Sequence, residues 1–339
     1  MAPILTRVGN SFGFGAPAGP SGPGPFSASG GTKISDGDYT YHVFVTDTPA
    51  PAKSLVISEG TRENCEILVV ASGGSSGYDN GGGGGAGGVA HVPSITLTVG
   101  THPVIVGEMK PGAPTRGAHA PHTGNDSKYT HPFGVITAKG GGGSAFNPPN
   151  GYAVPNAKTT TDGGSGAGGR RTNPGSDPSY TGPPSSGIQP TQNPGYPVTV
   201  NNYGHDGGNA ESGGANWWFA GGGGGAGGAG QPYNSGRAGG AGQPFPTFPG
   251  PVTAPGIPSP ERTNYTTARG PTHLIAGGGG GSSESPSTNG AGGTGGGGPG
   301  GPNTQSDLHG TYGTGGGGGS GGGAGGNGAS GIVIVRYLT

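Results

Sequence analysis

The chain has 339 residues, of which 88 are glycine and 35 proline, while hydrophobic residues supply only 27%; this excludes a conventional oily core running through its whole length. Fifteen Lys and Arg face sixteen Asp and Glu, a formal net charge of -1. There is therefore no basic stripe for nucleic acid or an anionic membrane, and no charge excess of the kind that swells a disordered chain.

The first 31 residues are rich in Gly, Pro, Ser and Phe around the core SFGFG and read as a tether, extended to residue 35 as an N-terminal arm. They contain no apolar segment of signal-peptide length, and no window of the chain nears the roughly 18 apolar residues of a membrane span. Strand patterning begins with DYTYHVFVT at 38–46, where Tyr39, Tyr41, Val43 and Val45 alternate as a half-buried strand requires. SLVISEG (54–60) and CEILVVASGG (65–74) follow; Cys65, the single cysteine, excludes an intrachain disulfide, fits a reducing cytoplasm and reads as a small buried hydrophobe. SITLTVG (94–100) and HPVIVGE (102–108), split by Gly-Thr, suggest a hairpin. FGVITAKGGGG (133–143) is a further strand, and the chain closes on SGIVIVRYLT (330–339). A strand so apolar needs partners, and the strands lie mostly in the first third. The last strand is therefore expected to return and pair with the early module.

Between these strands glycine tracts recur, at 81–88, 140–143, 163–169, 220–230, 277–281, 290–301 and 313–328. Collagen is excluded, because GGGGGAGG and GGSGAGG do not keep glycine at every third place. A flexible coil is the bland reading of any one tract. The reading that accounts for their recurrence is a three-per-turn extended helix of polyglycine II type, whose outward N–H and C=O groups bond neighbouring helices because no side chain holds them apart. The expected fold is mostly irregular and β. A small β module at 36–110, joined by the closing strand 330–339, carries a bundle or layered sandwich of polyglycine II helices at 111–329 with long Pro- and aromatic-rich loops.

DYTYHVF, ILVVASGG, GGGGGAGGV, TLTVGTHPVIVG, FGVITAKGGGG, FAGGGGGAGG, LIAGGGGGS and SGIVIVRY, in this order from residue 36 to the end, resemble the glycine-rich domain of tailed-bacteriophage tail-fibre and other virion structural proteins. In style the chain is also similar to fibre-tip adhesins that stack polyglycine helices. SSGYDN at 75–80, where the family often continues its glycine run, and the Pro-rich inserts depart from the pattern. The resemblance implies a non-enzymatic virion protein, exposed on the particle after assembly in the host cytoplasm. Residues 1–35 would attach to other virion proteins, with Phe12 and Phe14 as anchors. The leading expectation is a receptor-binding adhesin that contacts a host surface glycan or outer-membrane protein. Two alternatives stand beside it: an architectural capsid decoration, head fibre or spike, and an ice-binding protein. The oligomeric state is open between the homotrimer usual in phage fibres and a bundle closed within one chain.

Recognition is expected in the inserts between tracts, since loops on a rigid scaffold carry binding. These are 144–164, 170–184, 190–208, 216–222, 243–251 and 260–270, and they carry Tyr152, Tyr180, Tyr196, Tyr203, Trp217, Trp218, Phe245, Phe248 and Tyr265. Aromatic rings beside Asn, Asp and Ser suit sugar or protein surfaces. The competing reading is that the rings plug gaps along the edges of the scaffold. His119 and His122 have H-x-x-H spacing without cysteine partners, so no metal is assigned. Glycine-loop matches lack a strand-turn-helix context and no G-K-[ST] follows one. No cofactor is expected, and no catalytic set. Arg170 and Arg171 read as capping carbonyls or facing solvent.

Overall fold

The computed structural model describes residues 25–47, 53–77, 81–113, 122–144, 161–171, 181–182, 184–193, 195–210, 219–283, 289–301 and 308–339. Among these, the strands are β1 (Ser27–Ser29), β2 (Thr32–Asp36), β3 (Tyr39–Phe44), β4 (Ser54–Glu59), β5 (Arg62–Val70), β6 (Val89–Leu97), β7 (Gly100–Ile105), β8 (Ser127–His131) and β9 (Gly134–Ala138). Shorter pieces are β10 (Arg170–Arg171), β11 (Thr181–Gly182), β12 (Asn201–Tyr203), β13 (Gln243–Pro244) and β14 (Leu274–Ile275), before the closing β15 (Ile332–Leu338). Two short helices, α1 (Gly250–Thr253) and α2 (Arg262–Arg269), complete a mostly β chain.

A five-stranded sheet of order β1-β4-β7-β8-β9 packs on a six-stranded sheet of order β12-β6-β5-β15-β3-β2. The last strand thus occupies the interior of the larger sheet, antiparallel to both β3 and β5, with Val335 opposite His42 on one side and Ile67 on the other. Its continuous apolar run follows from burial on both faces. Val333, Val335 and Tyr337 enter the core between the sheets together with Cys65, Ile67, Val69, Leu97, Tyr129 and Ile136. Ile332 and Ile334 face a second core with Val43, Leu68, Val70, Phe248, Ile257 and Tyr265, where residues 245–275 lie across the outer face of the sheet. Burial pushes the Cys65 thiol up to about 12, as an inert interior hydrophobe requires.

Several expectations are corrected here. The alternation in 38–46 does not mark a half-buried strand, because Thr40 and His42 on its other face are also buried. The hairpin expected at 94–108 does not form: β6 lies in the six-stranded sheet and β7 in the five-stranded one. With β5 and β12 already flanking β6, the chain crosses between layers at residues 98–99, so that Leu97 and Val104 enter the shared core from opposite sheets. Residues 27–29 and 32–35, expected to belong to the arm, lie in strands that pair with β4 and β3. Within 111–329, β8 and β9 belong to the sandwich, as does β12 on the edge of the larger sheet.

His42 is enclosed in the sandwich. Its Nδ1 lies 2.7 Å from the Gly30 carbonyl and so carries the proton, while Nε2 accepts from the Tyr337 hydroxyl at 3.0 Å. Burial holds its pKa below the usual 6.5, against the pull of the Gly30 carbonyl and with the help of nearby Lys33. The unfolded chain therefore takes up the proton more readily, and stability is complete above pH 6.5 and declines as pH falls toward the depressed value. His131, depressed mainly by burial, adds a contribution of the same sign. Thermal melts between pH 7 and roughly pH 5 should show falling midpoints, with a shallower slope in His42→Gln. Midpoints that stay level would contradict the neutral, buried assignment.

The glycine tracts leave and enter the sandwich at one end of its strands. Residues 71–77 continue β5, 81–88 lead into β6, 139–144 follow β9, 204–210 follow β12 and 308–331 lead into β15, while 276–283 follow β14, which pairs with β13 outside the two large sheets. Apart from single bridges, the tracts have neither strand nor α-helix, yet their backbone groups are paired with one another. Gly83 donates to Gly221, Gly84 to Gly318 and Gly85 to Gly142; Ala86, Gly87 and Gly88 then donate to Gly224, Gly315 and Lys139, the same three neighbours in the same order. The carbonyls of Gly83, Gly84, Gly85, Ala86 and Gly88 accept from Gly168, Gly279, Gly74, Ser165 and Ala71, so this tract has six lateral neighbours. The same recurrence governs 71–76, which donates to 85–88, 122–125 and 326–329, and 220–226, which donates to 276–282, 166–169 and 228–231.

Candidate functional site

Serine replaces glycine where the tracts end away from the sandwich. Ser76 Oγ donates to the Gly319 carbonyl at 2.6 Å and accepts from the Gly326 N–H at 2.7 Å. Ser282 N–H donates to Ser320 Oγ at 2.7 Å, and the Ser144 N–H to the Ser75 carbonyl at 3.0 Å. A hydroxymethyl group is small enough to fit here and supplies the bonds that the lattice no longer does.

The residues that flank three of the six inserts, 144–164, 170–184 and 216–222, gather at this end, with those beside other breaks in the described chain. Ala113 donates to Ser76, Thr161 to Gly143, Gly169 to Gly208, Ala220 to Ser282 and Gly301 to Ser320. Phe219 bridges Ser283, and Arg170 pairs with Gly182. The segments 78–80, 114–121, 145–160, 172–180, 211–218, 284–288 and 302–307 thus all join the described residues at the pole away from the sandwich. The opposite pole holds the two ends of the described chain. Pro25 approaches Gly60, at the start of β5, and the Thr339 N–H donates to the Asp38 carbonyl at 2.8 Å, beside the last pair of β15.

The candidate aromatic residues divide differently from the expectation. Tyr152, Tyr180, Trp217 and Trp218, like the anchors Phe12 and Phe14, lie outside the described residues. Tyr196 sits on the sandwich, its hydroxyl donating to the Val135 carbonyl and its ring 5.4 Å from that of Phe133. Tyr203 on β12 meets Phe245 edge-on at 5.6 Å. Phe245, Phe248 and Tyr265 are buried in the second core and are not accessible contacts. Their segments are not free loops: 243–251 lies on the sheet, and 260–270 contains α2.

What holds that cap is a buried arginine that the sequence reading did not single out. Arg269 donates to the Tyr265 hydroxyl at 2.7 Å and to the carbonyls of Phe248 at 2.8 Å, His273 at 3.0 Å and Leu274 at 3.2 Å. A guanidinium sealed from water requires such a set of acceptors, and here it ties α2 to both neighbouring turns. Arg170 is likewise enclosed instead of facing solvent.

A polar row also fastens the cap. Arg336 pairs with Glu66 at 2.5 Å and lies over the Tyr39 ring, while Thr247 Oγ1 donates to Glu66 at 2.7 Å. His91 Nε2 stands 3.6 Å from the carboxylate, within ion-pair range but beyond a hydrogen bond. Burial raises the Glu66 pKa, but these partners outweigh it and hold the carboxyl below its usual value. Thr247 thus ties the cap to Glu66, while Arg336, Tyr39 and His91 meet it or one another from neighbouring strands of the sheet, which is a structural role.

Among the described residues no cluster of three or more His, Cys, Asp or Glu could hold a metal ion, and no helix is long and apolar enough to cross a membrane. The model of the glycine-rich domain matches residues 51–338. The chain belongs to the glycine-rich domain family. No curated protein matches it. The matched span of this glycine-rich domain includes the interior strand β15 and every tract of the lattice, and it starts just before β4.

Proposed function

We propose that this glycine-rich domain is a non-enzymatic virion protein of a tailed bacteriophage, a tail-fibre adhesin that holds its recognition inserts on a lattice of polyglycine II helices. The recurrence of lateral partners every three residues supports the helical part of this reading. A helix with three residues per turn presents successive N–H groups in three directions, which is how 83–88 distributes its bonds. At about 3.1 Å per residue, its rise would carry the insert pole some 20 Å beyond the sandwich.

The single observation that supports adhesion is the separation of poles. Pro25 and Thr339 lie at one end, where an N-terminal arm would join other virion proteins, and the inserts 144–164, 170–184 and 216–222 start from the other. Flanking residues gathered at one end of paired tracts suit surface recognition, because a scaffold that starts several loops close together can present them to one surface. A host glycan or outer-membrane protein is the receptor class proposed, with Tyr152, Tyr180, Trp217 and Trp218 as the aromatic contacts.

The purified chain should bind host cells and compete with phage adsorption. Double substitution of Trp217 and Trp218 to alanine should reduce competition about tenfold or more, as loss of aromatic anchors does, with the melting temperature unchanged. An equally stable chain that neither binds cells nor competes would sink the adhesin reading in favour of an architectural virion protein.

A further inference from the structure

A groove of about 590 Å³ opens on the flank of the molecule, between α2 and the turn at 309–312. Glu261, Asn264 and Thr267 line it from the helical side, Thr311 and Tyr312 from the turn, and Met109 from a third segment. Its size falls in the range of sites for small ligands, about 300 to 1,000 Å³. We propose that this groove binds a short, neutral, hydroxyl-rich oligosaccharide.

The walls are held before any ligand arrives. Behind α2, Arg269 and Tyr265 fix the helix to the sheet cap, and the Tyr265 hydroxyl lies 2.9 Å from Thr253 Oγ1. On the turn, the Thr311 N–H donates to Gly296 at 2.8 Å and Thr314 Oγ1 to the Thr311 carbonyl at 2.6 Å. The Tyr312 hydroxyl is held by Thr46 at 2.8 Å and Asp47 at 3.1 Å. His309 Nδ1 accepts from the Asn327 N–H at 3.0 Å, which sets that ring at the rim.

Against this rigid frame, the side chains of Glu261, Asn264, Thr267 and Thr311 have no protein hydrogen-bond partner among the described residues. Together they offer a carboxylate, an amide and two hydroxyls, both donors and acceptors, to one space. Tyr312 and Met109 add apolar surface that matches the C–H faces of a pyranose ring. Among the described residues no lysine or arginine lines the groove, and Glu261 would repel a carboxylate or phosphate. The chemistry therefore selects a neutral sugar over an acidic one. The groove lies on the flank of the cap and uses none of the insert aromatics, so it can be tested apart from the insert pole.

Ligand-observed NMR with the full chain would use cellotriose, maltotriose, mannotriose and chitotriose as neutral probes and 3′-sialyllactose as an acidic one. At least one neutral trisaccharide should bind at millimolar or lower concentration. Asn264→Ala should weaken that binding about tenfold, as loss of a ligand hydrogen bond does. Thr267→Val, nearly isosteric and on the exposed face of α2, should weaken it in the same direction and serves if Asn264→Ala unfolds. The proposal is overturned by absence of binding to all four neutral probes, by tighter binding of the sialylated one, or by binding that both folded variants leave unchanged.

Discussion

Replacing Gly83 by alanine is expected to destabilise the folded chain by about 2–4 kcal/mol, more than a single exposed substitution normally does. An added Cβ would overlap the Gly279 carbonyl oxygen and come within 2.9 Å of the Gly223 nitrogen. Both belong to the lattice: Gly223 donates to Gly279 and Gly279 to Gly84, each at 2.8–2.9 Å. The neighbouring tracts would have to separate, and every lateral bond so stretched contributes about 0.5–1.5 kcal/mol. Gly228→Ala is the matched control, because the nearest atom to its new Cβ is 3.8 Å away. That substitution should be neutral or stabilise by up to about 1 kcal/mol through the unfolded chain. Urea midpoints of the two variants measure the contrast, and equal midpoints would show that close lateral approach is not what holds the tracts.

Deleting residues 331–339 is expected to abolish the folded state altogether. The segment contains β15, which is an interior strand of the larger sheet, so its loss leaves β3 and β5 without their shared partner. Ile332, Val333, Ile334, Val335 and Tyr337 are all buried. At about 1.5–3 kcal/mol for each large apolar side chain buried, their loss exceeds much of the 5–15 kcal/mol by which a domain is normally stable. The lattice should fail with the sheet, since five of its segments, 71–77, 81–88, 139–144, 204–210 and 308–331, run directly from or into sandwich strands. Proton NMR of the shortened chain should show collapsed amide dispersion. Retained dispersion with native-like melting would mean that the closing strand is an accessory.

The sandwich was partly legible in the sequence, and what was missed has identifiable causes. β3, β5 and β15 carry apolar residues at strand spacing, and the need of 332–338 for partners follows from its continuous apolar character. β8 was missed because SKYTH offers one apolar side chain, Tyr129, and its strand conformation comes from pairing with β7 and β9. The crossing from β6 to β7 was read as a hairpin because local turn chemistry does not reveal that two sheets are present. α2 has few apolar positions from which to read a period, yet Pro260 before its first turn and Gly270 after its last were usable signals. Gly270, at φ 54°, ends the helix in a conformation that favours glycine.

The aromatic residues show where local reading fails most. Phe245 and Phe248 lie among prolines and glycines, which reads as an exposed loop; burial came from the outer face of the six-stranded sheet, which required a cover. The partners of the glycine tracts were not legible either. GGGGG at 81–85 and at 221–225 offers no side chain to distinguish one neighbour from another. For 81–85 position is set instead by β6, into which the tract leads, and the alanines mark the sheet end of both tracts: Ala86 and Ala226 enter the second core, where a methyl group has room.

Scalar couplings across hydrogen bonds, measured by NMR on the isotopically labelled chain, would detect the lateral bonding most directly. Amides of Gly83, Gly84 and Gly85 should couple to the carbonyl carbons of Gly221, Gly318 and Gly142, and those of Ala86, Gly87 and Gly88 to Gly224, Gly315 and Lys139. Couplings confined to a single neighbouring segment, as in a sheet, to residues four places back, as in an α-helix, or absent throughout would contradict a scaffold held by its main chain.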